Sequence, residues 1–188
     1  KKMIETDDFK KALYDNRAWV TRESLEKNHT PQPLYIDNLN EVINIDYSLI
    51  ETKNYSMKEA FSPFSSMKRG GEIKQFYLVT SRGCPFRCVF CSGPSLHGRE
   101  IRYADVDVLI KHVKYLIENF GLNVLTIYDD QILFNRARAK EFFRKLAEFK
   151  IRVETPNGLS VAFIDEEMAE LMKKAGIDTV PLAIESGS

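Results

Sequence analysis

The sequence is poor in the features that mark membrane-spanning, secreted and polyanion-binding proteins. None of its apolar runs approaches the ~20 residues that cross a bilayer, and its first residues, KKMIETDDFKK, lack the apolar core of a secretory signal. Its 27 basic and 27 acidic side chains leave no net charge, so nothing favours nucleic acid or an anionic surface as a partner. We therefore expect a cytoplasmic protein with neither a membrane nor a nucleic-acid partner.

Cysteine is also scarce, and all three cysteines lie in one stretch, SRGCPFRCVFCSG, at residues 81–93. An odd number of clustered thiols in a reducing compartment does not suit a disulfide framework. The residues Cys84, Cys88 and Cys91 form the pattern C-x3-C-x2-C, and soft thiolates at this spacing in a compact loop can point at one centre. The pattern predicts either a zinc site or an iron-sulfur cluster.

The number of thiols separates these alternatives. A structural zinc site needs a fourth ligand, for which His97 is the nearby candidate. A third interpretation, three unrelated buried cysteines, fits poorly with three thiols inside eight residues. A 4Fe-4S cluster held by three thiolates keeps one iron open to a small molecule, whereas an electron carrier normally has every iron covered by protein. The missing fourth cysteine therefore favours catalysis.

From about residue 75, short apolar runs alternate with stretches of helical periodicity. Strands are predicted at FYLVT, NVLTIYDD, IRVETPN and DTVPLAIES, with starts near residues 76, 124, 152 and 180. The first reads as a strand buried on both faces, while Pro181 weakens the fourth because it cannot donate to a ladder. Strict alternation with helices predicts an α/β fold with a parallel sheet, either open or part of a barrel.

Three helices are predicted between these strands, at ADVDVLIKHVKYLIENFG, NRARAKEFFRKLAEF and DEEMAELMKKAG. Each carries one apolar stripe with spacings of three and four residues. Asp105 and Asp165 are placed to cap the first and third of them, and Gly121 and Gly176 to end them. No role is predicted for His112, which lies in the first helix.

Residues 1–74 are rich in turn formers and poor in periodicity, apart from one short predicted helix at DDFKKALYDNRAW. We expect a linker or arm over residues 1–74 and an α/β domain over residues 75–188. A parallel sheet that stopped at the fourth strand would have a bare edge, so we expect the chain to be a segment of a longer protein.

The stretch CPFRCVFC, with Phe90 before the last cysteine, resembles the signature of the radical S-adenosylmethionine (SAM) enzymes. Within that superfamily, the chain resembles the cobalamin-associated branch, which includes methyltransferases and cyclases. The stretches that carry this resemblance are TSRGCPFRCVFCSG, GREIRY, IYDDQILFNRARAKEF, PNGL, LMKKAGIDTV and IESGS. The stretch PLYIDNLNEVINIDYSLIE resembles the connector that follows the cobalamin-binding domain in this branch. The resemblance implies a partial (βα)6 TIM-like barrel, of which about the first four strands lie in residues 75–188.

The resemblance also implies the cofactors and the reaction. A 4Fe-4S cluster on the three cysteines would bind SAM at its open iron and, with an electron from a reductant such as flavodoxin or ferredoxin, cleave it. The products would be methionine and a 5′-deoxyadenosyl radical that abstracts hydrogen from a small-molecule or peptide substrate. In the cobalamin-dependent class, which carries out methyl transfer or radical cyclisation, a second SAM can supply a methyl group through cobalt. The three histidines lack a D-x-H-x-x-G context, so any cobalamin site is expected upstream of Lys1.

Contacts to SAM follow from the resemblance as well. Asp129 and Asp130 would accept hydrogen bonds from the SAM amino group, more through one of them than through both; the alternative is a helix cap or a solvated side chain. Phe90 would lie beside the adenine, or else only shield the cluster. Arg99 and Arg102 resemble a basic pair that follows the cysteine loop in this branch, although a solvated role is open.

The later strand ends supply the remaining candidates. Asn157 would face SAM or substrate, or else form a plain turn. Glu185 and Ser186 would face the ribose hydroxyls, although Ala183 stands where the motif usually has glycine. Two competing functions stay open: a cobalamin-independent radical SAM enzyme, methylthiotransferase-like or peptide-modifying, and a non-catalytic iron-sulfur or zinc module.

Overall fold

The structure is a computed structural model that describes residues 18, 20–27, 32, 34–43, 45–52 and 73–184. The chain divides into two compact units, Lys1–Ile36 and Asp37–Ser188. In the first unit, helix α1 (Arg22–Glu26) begins with a reciprocal cap, because Thr21 and Ser24 each donate a backbone N–H to the other's hydroxyl oxygen. The helix predicted at DDFKKALYDNRAW lies outside the described residues except for Ala18.

The second unit alternates strands with helices from residue 75 onward. Its elements are, in order, β1 (Gln75–Leu78), β2 (Ser81–Arg82), α2 (Gly93–His97), β3 (Arg102–Tyr103), α3 (Val106–Phe120), β4 (Val124–Ile127), α4 (Arg136–Leu146), β5 (Arg152–Glu154), β6 (Leu159–Ser160), α5 (Glu166–Lys174) and β7 (Leu182–Ala183). Among these, α3, α4 and α5 are the helices predicted from periodicity. Over the described residues, no helix is both long and apolar enough to cross a membrane.

Strands β1, β4 and β5 form a parallel sheet in that order. The later strands β6 and β7 also pair in parallel, while β2 and β3 form an antiparallel ribbon. The predicted α/β fold with a parallel sheet is therefore confirmed, and β7 begins directly after Pro181, where a missing N–H costs no ladder bond. The completion of a (βα)6 barrel stays a prediction.

One prediction about the sheet is wrong. Strand β1 is not buried on both faces, since Tyr77 is 54% exposed although Leu78 beside it is buried. Among the described residues β1 pairs only with β4 and forms an edge of the sheet, whereas all four residues of β4 are buried. A continuous apolar run cannot by itself reveal a strand's position in the sheet.

Apolar residues of the three long helices pack with residues of the sheet in one core cluster, as their apolar stripes predict. Gly121 ends α3 in the left-handed conformation, and Asp165 caps α5 by accepting from the backbone N–H of Met168. The predicted cap at Asp105 is wrong in its chemistry, because this side chain makes no capping bond and instead accepts from the amide of Asn40, 65 positions away. A long-range partner thus replaces the local one.

The segment before the sheet contributes to the same core. Two short 3₁₀ helices, Leu39–Ile43 and Tyr47–Leu49, bring the buried side chains of Leu39 and Tyr47 into the core cluster that includes α3. The Tyr47 ring contacts Phe76 and Phe120, and its hydroxyl lies 3.3 Å from Nε2 of the buried His112. His112 is therefore a core residue of α3.

Candidate active site around the cysteine loop

Polar residues follow β1, β4 and β5 at the same edge of the sheet. The strands are parallel, so Thr80, Asp129 and Asn157 all lie beyond carboxyl ends. Asp129 joins the three ends, because its carboxylate accepts from Thr80 and its backbone carbonyl accepts from the side-chain amide of Asn157 at 3.2 Å. Catalytic side chains in α/β proteins collect at such an edge.

Asp129 is buried, and both of its carboxylate oxygens accept hydrogen bonds. Oδ1 accepts from the backbone N–H of Thr80 at 2.6 Å, and Oδ2 accepts from the hydroxyls of Thr80 and Ser81. Burial raises the pKa of Asp129, while these donors act in the opposite direction. The carboxylate therefore fixes the chain that leads from β1 into the cysteine loop.

Arg138 of α4 supports the same corner and was not singled out from the sequence. Its guanidinium donates to the backbone carbonyls of Thr80, at 3.0 Å, and Ala104, at 2.7 Å, and lies 4.9 Å from the centre of the Tyr103 ring. Thr80 directly precedes β2 and Ala104 directly follows β3, so Arg138 fastens the antiparallel ribbon to α4. Arg138 lies outside the apolar stripe of α4, and nothing in the sequence indicated this role.

The cysteine loop, residues 83–101, is closed at its base by that ribbon. Inside the base, the N–H of Cys84 donates to the carbonyl of Gly98 at 3.0 Å. Gly83 has φ +108°, and a Cβ at this position would lie 2.1 Å from the carbonyl oxygen of Glu100. Only glycine allows the two arms to approach this closely.

The three cysteines are free thiols, with Cys84 buried and Cys88 and Cys91 exposed. Burial raises the pKa of Cys84. Across the described residues, no three His, Cys, Asp or Glu side chains are gathered closely enough to hold a metal ion, so neither the thiols nor His97 form a closed site in this conformation. By donor chemistry, free thiols in one tethered loop fit an iron-sulfur cluster.

Asp130 lies where the loop meets the sheet. Its Oδ1 is 2.9 Å from Nδ1 of His97, and its Oδ2 accepts from the backbone N–H of Gly83 at 3.1 Å. The guanidinium of Arg82 is 4.0 Å away. His97, weighed in the sequence as a zinc ligand, thus faces a carboxylate.

The remaining loop residues divide into anchored and exposed ones. Phe86 packs against Phe134 and Phe163, whereas Phe90 is 74% exposed and its predicted contact with adenine stays a prediction. Arg99 and Arg102 donate to backbone carbonyls of the loop, at Phe86 and His97, so both hold the loop together.

Four of the six predicted SAM-binding residues lie in the cysteine loop or at the strand ends next to it. Phe90 belongs to the loop, and Asp129, Asp130 and Asn157 lie at the strand ends that carry it. Glu185 and Ser186 fall outside the described residues. The neighbouring hydroxyl residues Thr80 and Ser81, between β1 and the first cysteine, were the available signal for the missed Asp129 network.

Several proteins of known sequence are similar to this chain. The cytidylyl-2-hydroxyethylphosphonate methyltransferase of Streptomyces wedmorensis is 33% identical over 135 residues, which are 72% of this chain and 24% of the relative. An uncharacterised methyltransferase of Pyrococcus horikoshii is 30% identical over 162 residues, 86% of this chain and 32% of the relative. The chain thus spans about a quarter of the first relative's length and about a third of the second's.

A solved structure and a family model complete the comparison. The radical SAM methyltransferase TsrM of Kitasatospora setae, with cobalamin and a 4Fe-4S cluster bound, has a TM-score of 0.47 at 21% identity over 53% of this chain and 19% of its own. The model of the radical SAM superfamily matches residues 78–188, from the end of β1 onward and including all three cysteines. The chain belongs to the radical SAM superfamily.

Proposed function

We propose that this chain is the part of a radical SAM enzyme that holds a 4Fe-4S cluster and SAM. The observation that carries the proposal is the loop of three free thiols tethered to the carboxyl ends of a parallel sheet, within the region that matches the superfamily. When bound, the cluster would supply an electron that cleaves SAM into methionine and a 5′-deoxyadenosyl radical.

The chain's own residues have defined tasks in this proposal. The thiolates of Cys84, Cys88 and Cys91 would hold the cluster and leave one iron for the amino and carboxylate groups of SAM. Of the two aspartates, Asp130 is the better candidate for the SAM amino group. Its two oxygens accept one hydrogen bond each and its side chain is 14% exposed. The carboxylate of the buried Asp129 already accepts three hydrogen bonds.

Other SAM contacts are proposed on the family pattern. Phe90, exposed on the loop, would close over the adenine, and Asn157 would face SAM or substrate from the end of β5. Glu185 and Ser186 would accept and donate hydrogen bonds at the ribose hydroxyls. The electron would come from a small redox protein of the flavodoxin or ferredoxin kind.

We also propose that the whole protein is a cobalamin-dependent methyltransferase. Two relatives named as methyltransferases are 33% and 30% identical to this chain, against 23% and 26% for two relatives named as cyclases, and this difference favours methyl transfer. The cobalamin would be held by residues outside this sequence, since none of its histidines has the D-x-H-x-x-G context. SAM carrying a labelled methyl group should then transfer the label to bound cobalamin in the full-length protein. A full-length protein that retains no cobalamin would refute this class and leave the radical SAM assignment standing.

The cluster is tested by anaerobic reconstitution of the full-length protein with iron and sulfide. We expect a brown protein with absorption near ~400 nm and cluster-bound iron and sulfide, as for a 4Fe-4S centre. Alanine variants of each cysteine should lose the absorption. Stoichiometric zinc with no iron would instead identify a zinc module and overturn the proposal.

A further inference from the structure

Both arms of the cysteine loop converge on one carboxylate. Gly83, directly before Cys84, donates its N–H to Oδ2 of Asp130 at 3.1 Å. His97, six residues after Cys91, lies with Nδ1 2.9 Å from Oδ1 of the same side chain. A carboxylate oxygen is an acceptor, so Nδ1 of His97 carries the proton of this bond.

These two bonds join elements that are distant in the sequence. Asp130 follows β4, 47 positions after Gly83 and 33 after His97. The ribbon β2–β3 and the bond from Cys84 to the carbonyl of Gly98 close the loop upon itself, but they do not fix its position on the sheet. That position depends on contacts such as those of Asp130, whose side chain is only 14% exposed.

We propose that Asp130 and His97 are positioning residues that fasten both arms of the cysteine loop to the end of β4 and thereby hold Cys84 in its buried place. As far as the thiols serve a cluster, the inference rests on the proposed function. The fastening itself is a property of the protein alone. Groups hydrogen-bonded to metal ligands typically contribute about 10–100-fold to metal affinity, and we expect an effect of that order from a bond to Gly83, the residue before Cys84.

The first test uses the full-length apoprotein and needs no cluster. Alkylation of the three cysteines by iodoacetamide is followed by mass spectrometry in the parent and in Asp130→Ala, with Asp178→Ala at an exposed position as the matched control. Losing two hydrogen bonds should make local opening easier, so Cys84 should react about tenfold faster or more in Asp130→Ala. Cys88 and Cys91, already exposed, should react at the parental rate.

Two further variants separate positioning from general unfolding. His97→Ala removes only one of the two bonds and should give a smaller rise in Cys84 alkylation. Asp130→Asn keeps one carbonyl oxygen that can accept from Gly83, and should restore part of the protection. Circular dichroism shows whether Asp130→Ala is folded. If it is not, the alkylation rates of His97→Ala and Asp130→Asn decide the question, provided that their thermal unfolding midpoints equal that of the parent.

The second test follows the reconstituted protein. The rate at which an iron chelator removes the cluster should rise about 10–100-fold in Asp130→Ala, and the electron paramagnetic resonance spectrum of the reduced cluster should change. Parental alkylation of Cys84 in both Asp130→Ala and His97→Ala would overturn the proposed fastening. A parent protein that takes up no cluster would overturn the proposed function instead. The alkylation test, which uses the apoprotein, would still show whether Asp130 and His97 hold the loop in place.

Discussion

Thr80 donates twice to Asp129, through its backbone N–H at 2.6 Å and through its hydroxyl. The two residues follow the neighbouring strands β1 and β4, and both are buried. The pair therefore ties the start of the cysteine loop's ribbon to the centre of the sheet.

Replacing Thr80 by valine should destabilise the protein. Valine has nearly the same shape but lacks the hydroxyl donor, so Oδ2 of the buried Asp129 loses one of its two partners. We expect the free energy of unfolding in urea to fall by about 1–3 kcal/mol. The same change at exposed Thr179 should cost much less, and equal losses at the two sites would contradict this account.

An alanine at Gly83 should open the base of the cysteine loop. Its Cβ would lie 2.1 Å from the carbonyl oxygen of Glu100, so one arm must move. Gly121→Ala is the control, because it also has positive φ but would meet only the flexible side chain of Lys74. Hydrogen exchange at the N–H of Cys84, which bonds to Gly98, should accelerate in Gly83→Ala alone. Protection equal in the two variants would show that the close approach does not matter.

His112 should make stability depend on pH. Burial lowers the pKa of His112 below its ordinary 6.5, so protonation favours the unfolded state. This contribution to stability is present above about pH 6.5 and is lost as the pH falls. In His112→Phe the free energy of unfolding should therefore decline less between about pH 7.5 and 5.5. Tyr47→Phe, which removes the hydroxyl partner but keeps the imidazole, should retain the parental slope; a parental slope in His112→Phe would refute the assignment.

Local features of the fold could be predicted from the sequence because they depend on neighbours along the chain. The stripe of α4 is an example, since the spacing of Phe142, Phe143 and Leu146 places all three in the core. Gly121 similarly ends α3 because left-handed backbone favours glycine. The cysteine loop could be recognised as a candidate metal site from the spacing of its three cysteines.

Pairings between distant residues could not be predicted. The local sequence predicts that Asp105 caps a helix, yet its side chain accepts a hydrogen bond from Asn40. Nothing in the local sequence indicates partners for Asp130, yet its carboxylate is hydrogen-bonded to Gly83 and His97. The exposure of Tyr77 likewise depends on which strands flank β1. Such contacts depend on tertiary packing, and no periodicity encodes them.

The central claim is best tested by measuring 5′-deoxyadenosine. The full-length protein, reconstituted anaerobically and supplied with dithionite and SAM, should produce 5′-deoxyadenosine and methionine, detected by mass spectrometry. Variants in which Cys84, Cys88 or Cys91 is replaced by alanine should produce neither. A protein that holds its cluster and binds SAM but forms no 5′-deoxyadenosine above the level of these variants would contradict the account.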